Sequence, residues 1–155
     1  MKFTTRDDIE APIEFVFGQL TDFPGLERAA MRRGAEVLRT DSLTRPGTGM
    51  TWHASFGFRG RTREVDLELT GMTPPDGLEM AFGSANLDGR MAVDLVALSR
   101  SRTRVTMSFE LASKSLSGKL LLQSLKMARK TLTNRINERM SSYCEDISKR
   151  FRQSA

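Results

Sequence analysis

A chain of 155 residues, 39% hydrophobic and 28% charged, has the size and balance of one globular domain that can bury a core without metal or disulfide staples. Its longest aliphatic run, Leu120-Leu121-Leu122, falls far short of the roughly 20 apolar residues of a membrane span. The opening MKFTTRDDIEAP carries acids where an export signal needs an apolar stretch.

Phe3 to Ile9 alternates with Phe3, Thr5, Asp7 and Ile9 on one side, which predicts an opening strand. Ala11-Pro12 breaks it, and Pro12 suits a first helical position. Ile13, Val16, Phe17 and Leu20 follow helical spacing up to a turn cluster, Asp22-Phe23-Pro24-Gly25. A second short helix is predicted over Leu26–Arg33, with Gly34 as its left-handed cap.

From there the period falls to two. Ala35–Leu43 reads as a strand, and Arg45-Pro46-Gly47-Thr48-Gly49 as a hairpin turn. Met50–Phe58 places Met50, Trp52, Ala54, Phe56 and Phe58 on one face, with His53 on the other. Arg61–Met72 turns Val65, Leu67 and Leu69 inward and Glu64, Asp66 and Glu68 outward. Pro74-Pro75-Asp76-Gly77 is a turn, followed by an inward Leu78, Met80 and Phe82. Asn86-Leu87-Asp88-Gly89 reads as another turn. Met91, Val93, Leu95 and Ala97, then Thr103, Val105, Met107, Phe109 and Leu111, complete seven strands joined mostly by tight turns, the pattern of an antiparallel meander.

Ser115 to Arg152 reads as one long amphipathic helix. Its apolar stripe runs through Leu121, Leu125, Ala128, Leu132, Ile136, Met140, Tyr143, Ile147 and Phe151. At 1.5 Å per residue it would reach roughly 50 Å, enough to cross a whole sheet. A strand-rich body closed by one long helix places that helix over one sheet face, with Leu125, Ala128 and Leu132 over the middle as a lid.

The net charge of +5 is unevenly spread. Residues 114–155 carry ten Lys and Arg against Glu138, Glu145 and Asp146, so this segment stands at +7 and the remainder at −2. A solvated outer helix face accounts for such a run. It also leaves open weak contact with an anionic membrane or an acidic protein. Nucleic acid is not expected, because the cations are not interleaved with aromatics and no recognition motif accompanies them.

Chemistry is bounded by what the chain lacks. His53 is the only histidine, which argues against multi-histidine zinc or iron sites, and neither metal nor cofactor is expected. Cys144 is the only cysteine, so no intrachain disulfide can form and a cytoplasmic setting is expected. Gly47-Thr48-Gly49 has no third glycine and no following helix, so it is a turn and not a nucleotide loop. What remains is the inward surface. Nine methionines and nine phenylalanines supply adaptable apolar side chains suited to a hydrophobic pocket. Among polar residues of inward parity, Asp7, Arg61 and Arg63 stand out. An arginine there could hold a carboxylate or enolate oxygen, although the hairpin position of Arg61 and Arg63 also lets both reach solvent.

Three stretches carry a family resemblance. Ile9-Glu10-Ala11-Pro12-Ile13-Glu14-Phe15-Val16-Phe17, with Leu20-Thr21-Asp22-Phe23, is similar to the opening strand and first helix of the START/Bet v 1-like superfamily, and of its polyketide cyclase/dehydrase-like group in particular. Gly47-x-Gly49-x-x-Trp52 and Met72-Thr73-Pro74-Pro75-Asp76-Gly77-Leu78 resemble the start of that group's third strand and its turn between the fourth and fifth strands. The resemblance spans the whole chain as a single domain and implies an α+β helix-grip fold. In that fold a curved seven-stranded antiparallel sheet, with two short helices after the first strand, is closed by a long C-terminal helix over a cavity. These motifs carry no catalytic residue, and the superfamily's functions range from hydrophobic ligand carriage to ring cyclisation to co-chaperone activity. The expectation is therefore binding or transport of a hydrophobic small molecule or lipid, with catalysis left open. Its contacts would come from Trp52, Phe56, Phe58, Arg63, Met80, Phe82, Met91, Met107, Phe109, Leu125 and Leu132. The alternative is a cyclase-type enzyme on an aromatic or polyketide-like substrate, which needs a general base that only Asp7 or an unforeseen carboxylate offers.

Overall fold

The computed structural model describes residues 1–154. One open seven-stranded antiparallel sheet is backed by four helices. In chain order they are β1 (Lys2–Ile9), α1 (Ile13–Leu20), α2 (Phe23–Arg32), β2 (Glu36–Arg39), β3 (Thr51–Phe58), β4 (Arg61–Thr73), β5 (Gly77–Gly83), β6 (Leu87–Ser99), β7 (Arg102–Ser113), α3 (Leu116–Met127) and α4 (Arg129–Ser154). Strand order is β1-β7-β6-β5-β4-β3-β2. The meander from β2 to β7 is thus complete, and β1 returns to the far edge beside β7 across the helical insertion. The α+β helix-grip architecture expected from the sequence is the one observed.

Register converts the alternation into rows that cross the sheet. Trp52 lies opposite Leu67, and Leu67 opposite Phe82. Leu69, Met80, Met91, Phe109 and Phe3 make a second row, and Leu78, Val93, Met107 and Thr5 a third. These rows face the helices. The core they build, with Ile9, Val16, Met50, Leu69 and Ile147 essentially inaccessible, supplies most of the favourable folding free energy.

Four expectations are corrected. The Asp22–Gly25 stretch is no turn: Phe23, Pro24 and Gly25 form the first turn of α2, with the Asp22 carboxylate accepting from the Gly25 N–H at 3.2 Å as an N-cap does. Asn86–Gly89 is no turn either. The chain reverses at Ser84–Asn86, where the Ser84 side chain and backbone gather the next residues, and β6 has begun by Leu87. Gly89 lies within that strand, paired with Phe82, whose ring would stand 2.1 Å from any added Cβ. β2 stops at Arg39, four residues before the expected end, where the Arg39 and Asp41 side chains pair and Asp41 turns to accept from Leu43 and Thr51. At the other end of α2 the sequence reading holds, with Gly34 at φ +94° following the helix.

The largest correction concerns the C-terminal helix, which is two helices. Ala128 (φ −96°, ψ 16°) ends α3, and α4 restarts at Arg129. The two parts pack against different strands. Gly118 of α3 sits so close to the Asn86 carbonyl that a Cβ would be 2.1 Å from its oxygen. Arg129, at the break, donates to the Lys2 carbonyl at 2.7 Å and lies over the Phe3 ring. From there α4 runs along β1, held by Thr5 to Asn137 at 2.8 Å and by the Glu10 N–H to Ser148 at 3.0 Å. The break at Ala128 separates the part anchored at Asn86 from the part that runs along β1.

Candidate functional site

Between the sheet and the helices lies a hollow of 460 Å³. Its floor is built from the crossing rows: Trp52 and Ala54 of β3, Val65 and Leu67 of β4, Met80, Met91 and Met107. Its roof comes from Leu20 of α1, Phe23, Leu26 and Ala30 of α2, and Tyr143 of α4. The lining is nearly all carbon, with Glu27 the sole charged side chain among its residues.

Glu27 is held rather than free. Its Oε1 accepts the Trp52 indole N–H at 2.8 Å, and the indole packs on Phe23 with ring centroids 5.5 Å apart. Burial pushes the Tyr143 phenol up to about 12, so at neutral pH it stays protonated. A protonated phenol and a partnered carboxylate offer hydrogen bonds at two points of an otherwise apolar space. Such a lining suits a hydrophobic molecule with few polar atoms.

A second, more polar groove of 730 Å³ opens between the β3–β4 hairpin and α3. Phe58, Arg63, Phe82, Lys114 and Leu121 line it, and Phe56 and Val65 border both spaces. Arg63 is half-buried, and its Nε is shut away from water with no hydrogen-bond partner. An unpaired buried guanidinium N–H is costly in isolation.

The structure therefore divides the sequence-predicted residues. Trp52, Phe56, Met80, Met91 and Met107 come together around the hollow. Phe58, Arg63 and Phe82 belong to the adjoining groove, while Arg61 at its rim is exposed. Phe109 stands half-buried beside Phe3 and Met91 and does not border the hollow. Leu125 is buried and Leu132 half-buried under their helices, and neither lines the hollow. α2 and Tyr143 border the hollow on its helix side, and Leu125, Ala128 and Leu132 do not border it. Asp7 also lies outside the hollow, and the unforeseen carboxylate is Glu27. Reasoning from sequence passed over Glu27 because it sits in a polar run with Arg28. The available signal was its four-residue step from Phe23, which puts the two on one helical face.

His53 and Cys144 are not brought together. His53 is on the outer sheet face, with Nδ1 2.7 Å from Asp66 and Nε2 3.4 Å from Glu64, and these carboxylates raise its pKa. Cys144 is buried on α4, its Sγ 3.5 Å from the Met140 sulfur, and burial pushes the thiol up to about 12. A thiol so protonated is no nucleophile at neutral pH.

No protein-family model matches the sequence, and no curated protein sequence matches it. Solved structures do match. A conserved protein from Geobacillus kaustophilus superposes with a TM-score of 0.65 at 17% identity, covering 99% of this chain and 97% of its own. Ara h 8.0201 gives 0.60 at 12% identity, covering 92% and 98%. A START superfamily protein from Mycobacterium smegmatis gives 0.57 at 13% identity, covering 88% and 97%. With sequence identity this low the likeness concerns the backbone, and the chain has the START/Bet v 1-like fold.

Proposed function

We propose that the protein binds, and in binding carries, a hydrophobic small molecule or lipid in the hollow between α2 and the sheet. The observation that carries this reading is the apolar 460 Å³ space itself. The space opens to solvent, and a bound apolar molecule would take its nearly all-carbon lining out of water. The START/Bet v 1-like resemblance, whose members include carriers of hydrophobic ligands, supports the same reading. Trp52, Met80, Met91 and Met107 would contact the apolar body of the ligand. Arg63, in the adjoining groove, would meet an anionic or carbonyl end that reaches past Phe56. The reading needs no metal or cofactor, and the single thiol favours a cytoplasmic setting. Among the described residues no helix is long and apolar enough to cross a membrane.

A second reading, ring closure of a polyketide-like substrate, draws on Glu27 as the one carboxylate at the hollow. Its hydrogen bond to Trp52 favours a structural part over that of a free base, so binding is the reading preferred. Titration with 1-anilinonaphthalene-8-sulfonate, following both probe emission and Trp52 quenching, tests it. Saturable binding with a concerted change in Trp52 emission is expected. An unresponsive Trp52 and no saturable probe signal would remove the ligand-binding reading.

A further inference from the structure

α3 carries hydrophobic side chains on the wrong side for a core. Leu116, Leu120 and Met127 are 74%, 60% and 91% exposed, while Gly118, Leu122 and Leu125 of the same helix are buried. Helical spacing stacks the three exposed residues in one line, with Gln123 among them and Lys119 and Lys126 alongside. This face cannot roll inward. The close approach of Gly118 to the Asn86 carbonyl, and the hydrogen bond from Arg59 to Ser124, fix the rotation of the helix.

Charge singles out the occupant. Residues 114–130 contain Lys114, Lys119, Lys126, Arg129 and Lys130 and no Asp or Glu. We infer that the outer face of α3 docks the protein on an anionic lipid surface, with Leu116, Leu120 and Met127 entering the interfacial layer and the flanking cations over the headgroups. An apolar stripe bordered by Lys whose stems can lie along it is the arrangement of an interfacial helix. A second copy of the chain fits the face poorly, because a two-fold contact would bring Lys119 and Lys126 of one copy against the same lysines of the other. This inference does not rest on the hollow being a ligand site. It gives the α3 side a task of its own, beside the groove that Leu121 lines.

Co-sedimentation of the full chain with ligand-free vesicles tests it, comparing phosphatidylcholine alone with phosphatidylcholine containing phosphatidylglycerol. Binding to the anionic vesicles at low salt, weakened by added salt, is expected. Charges near such a surface act roughly fivefold each, so Lys119→Glu with Lys126→Glu should weaken binding by on the order of 25-fold or more. Leu120→Ser with Met127→Ser should weaken it by on the order of tenfold through lost apolar burial. Val96→Ser, an exposed apolar site on β6, should leave it unchanged. All variants change exposed residues, and their melting temperatures verify folding. Any of four results would overturn the inference: no binding to anionic vesicles at low salt, equal binding to neutral ones, wild-type binding by the Leu120/Met127 variant, or self-association that the α3 substitutions abolish.

Discussion

Leu67 and Leu69 stand two residues apart on the same face of β4, and the structure gives them opposite surroundings. Leu69 is wholly buried, its backbone tied to Gly49 and Met50 at 2.9 Å. Leu67 is half-buried and borders the hollow. Replacing each by alanine removes the same three carbons. At Leu69 the transfer part is about 2.4 kcal/mol, at about 0.8 kcal/mol per carbon. The void left in packed surroundings raises the total to about 3–5 kcal/mol. At Leu67 the hollow side already lacks contacting atoms, so less dispersion and less burial are lost, and the expected cost is about 1 kcal/mol. For a chain of this length the gap corresponds to roughly 4–16 °C in melting temperature. Urea unfolding of the two variants beside the wild type measures it directly, with an unchanged m-value as the condition for comparing midpoints. Leu67→Ala should also alter the affinity for 1-anilinonaphthalene-8-sulfonate, and Leu69→Ala should not. Equal costs within about 0.5 kcal/mol, the ordinary scatter of such comparisons, would mean that Leu67 is as tightly surrounded as Leu69. The hollow would then be filled in solution and the functional reading would fail.

Gly118→Ala should destabilise although alanine is the better helix former by about 1 kcal/mol, because its Cβ would lie 2.1 Å from the Asn86 carbonyl oxygen. A net loss on the order of 2 kcal/mol is expected by thermal melting, and a stabilised variant would contradict the placement of α3. Asp8 offers a pH test. The hydrogen bond from Arg104, with Arg102 adding to it, holds its carboxyl below the ordinary value of 3.8. A depressed folded-state pKa contributes stability that is present above the unfolded value and lost as pH falls through the folded one. Asp8→Asn should therefore be less stable than wild type at pH 6, with the difference shrinking below pH 3.8. A difference that stays constant down to pH 2 would show that the ion pairs are not its source.

Much of the fold was legible because each strand and helix announces which of its sides is apolar. The two-residue period placed Trp52, Met80, Met91 and Met107 on the helix-facing side and His53 on the other, and all five stand there. Gly34, needing a left-handed backbone after α2, was equally readable. Other features required the assembled structure. Periodicity identifies the buried side of an element but not which distant element covers it. That choice rests on contacts such as Thr5 with Asn137 and Glu10 with Ser148, which join the first ten residues to the last twenty. Those contacts hold α4 along β1, the helix is broken at Ala128, and neither Leu125 nor Leu132 borders the hollow. The roof is left to α2, and with it comes Glu27, a carboxylate whose importance depends on Trp52 lying beneath it. The chain's own alternation determined which residues face inward. Where the sheet and helices fail to meet, and so where a ligand would fit, was decided by how rigid elements far apart in sequence dock on one another.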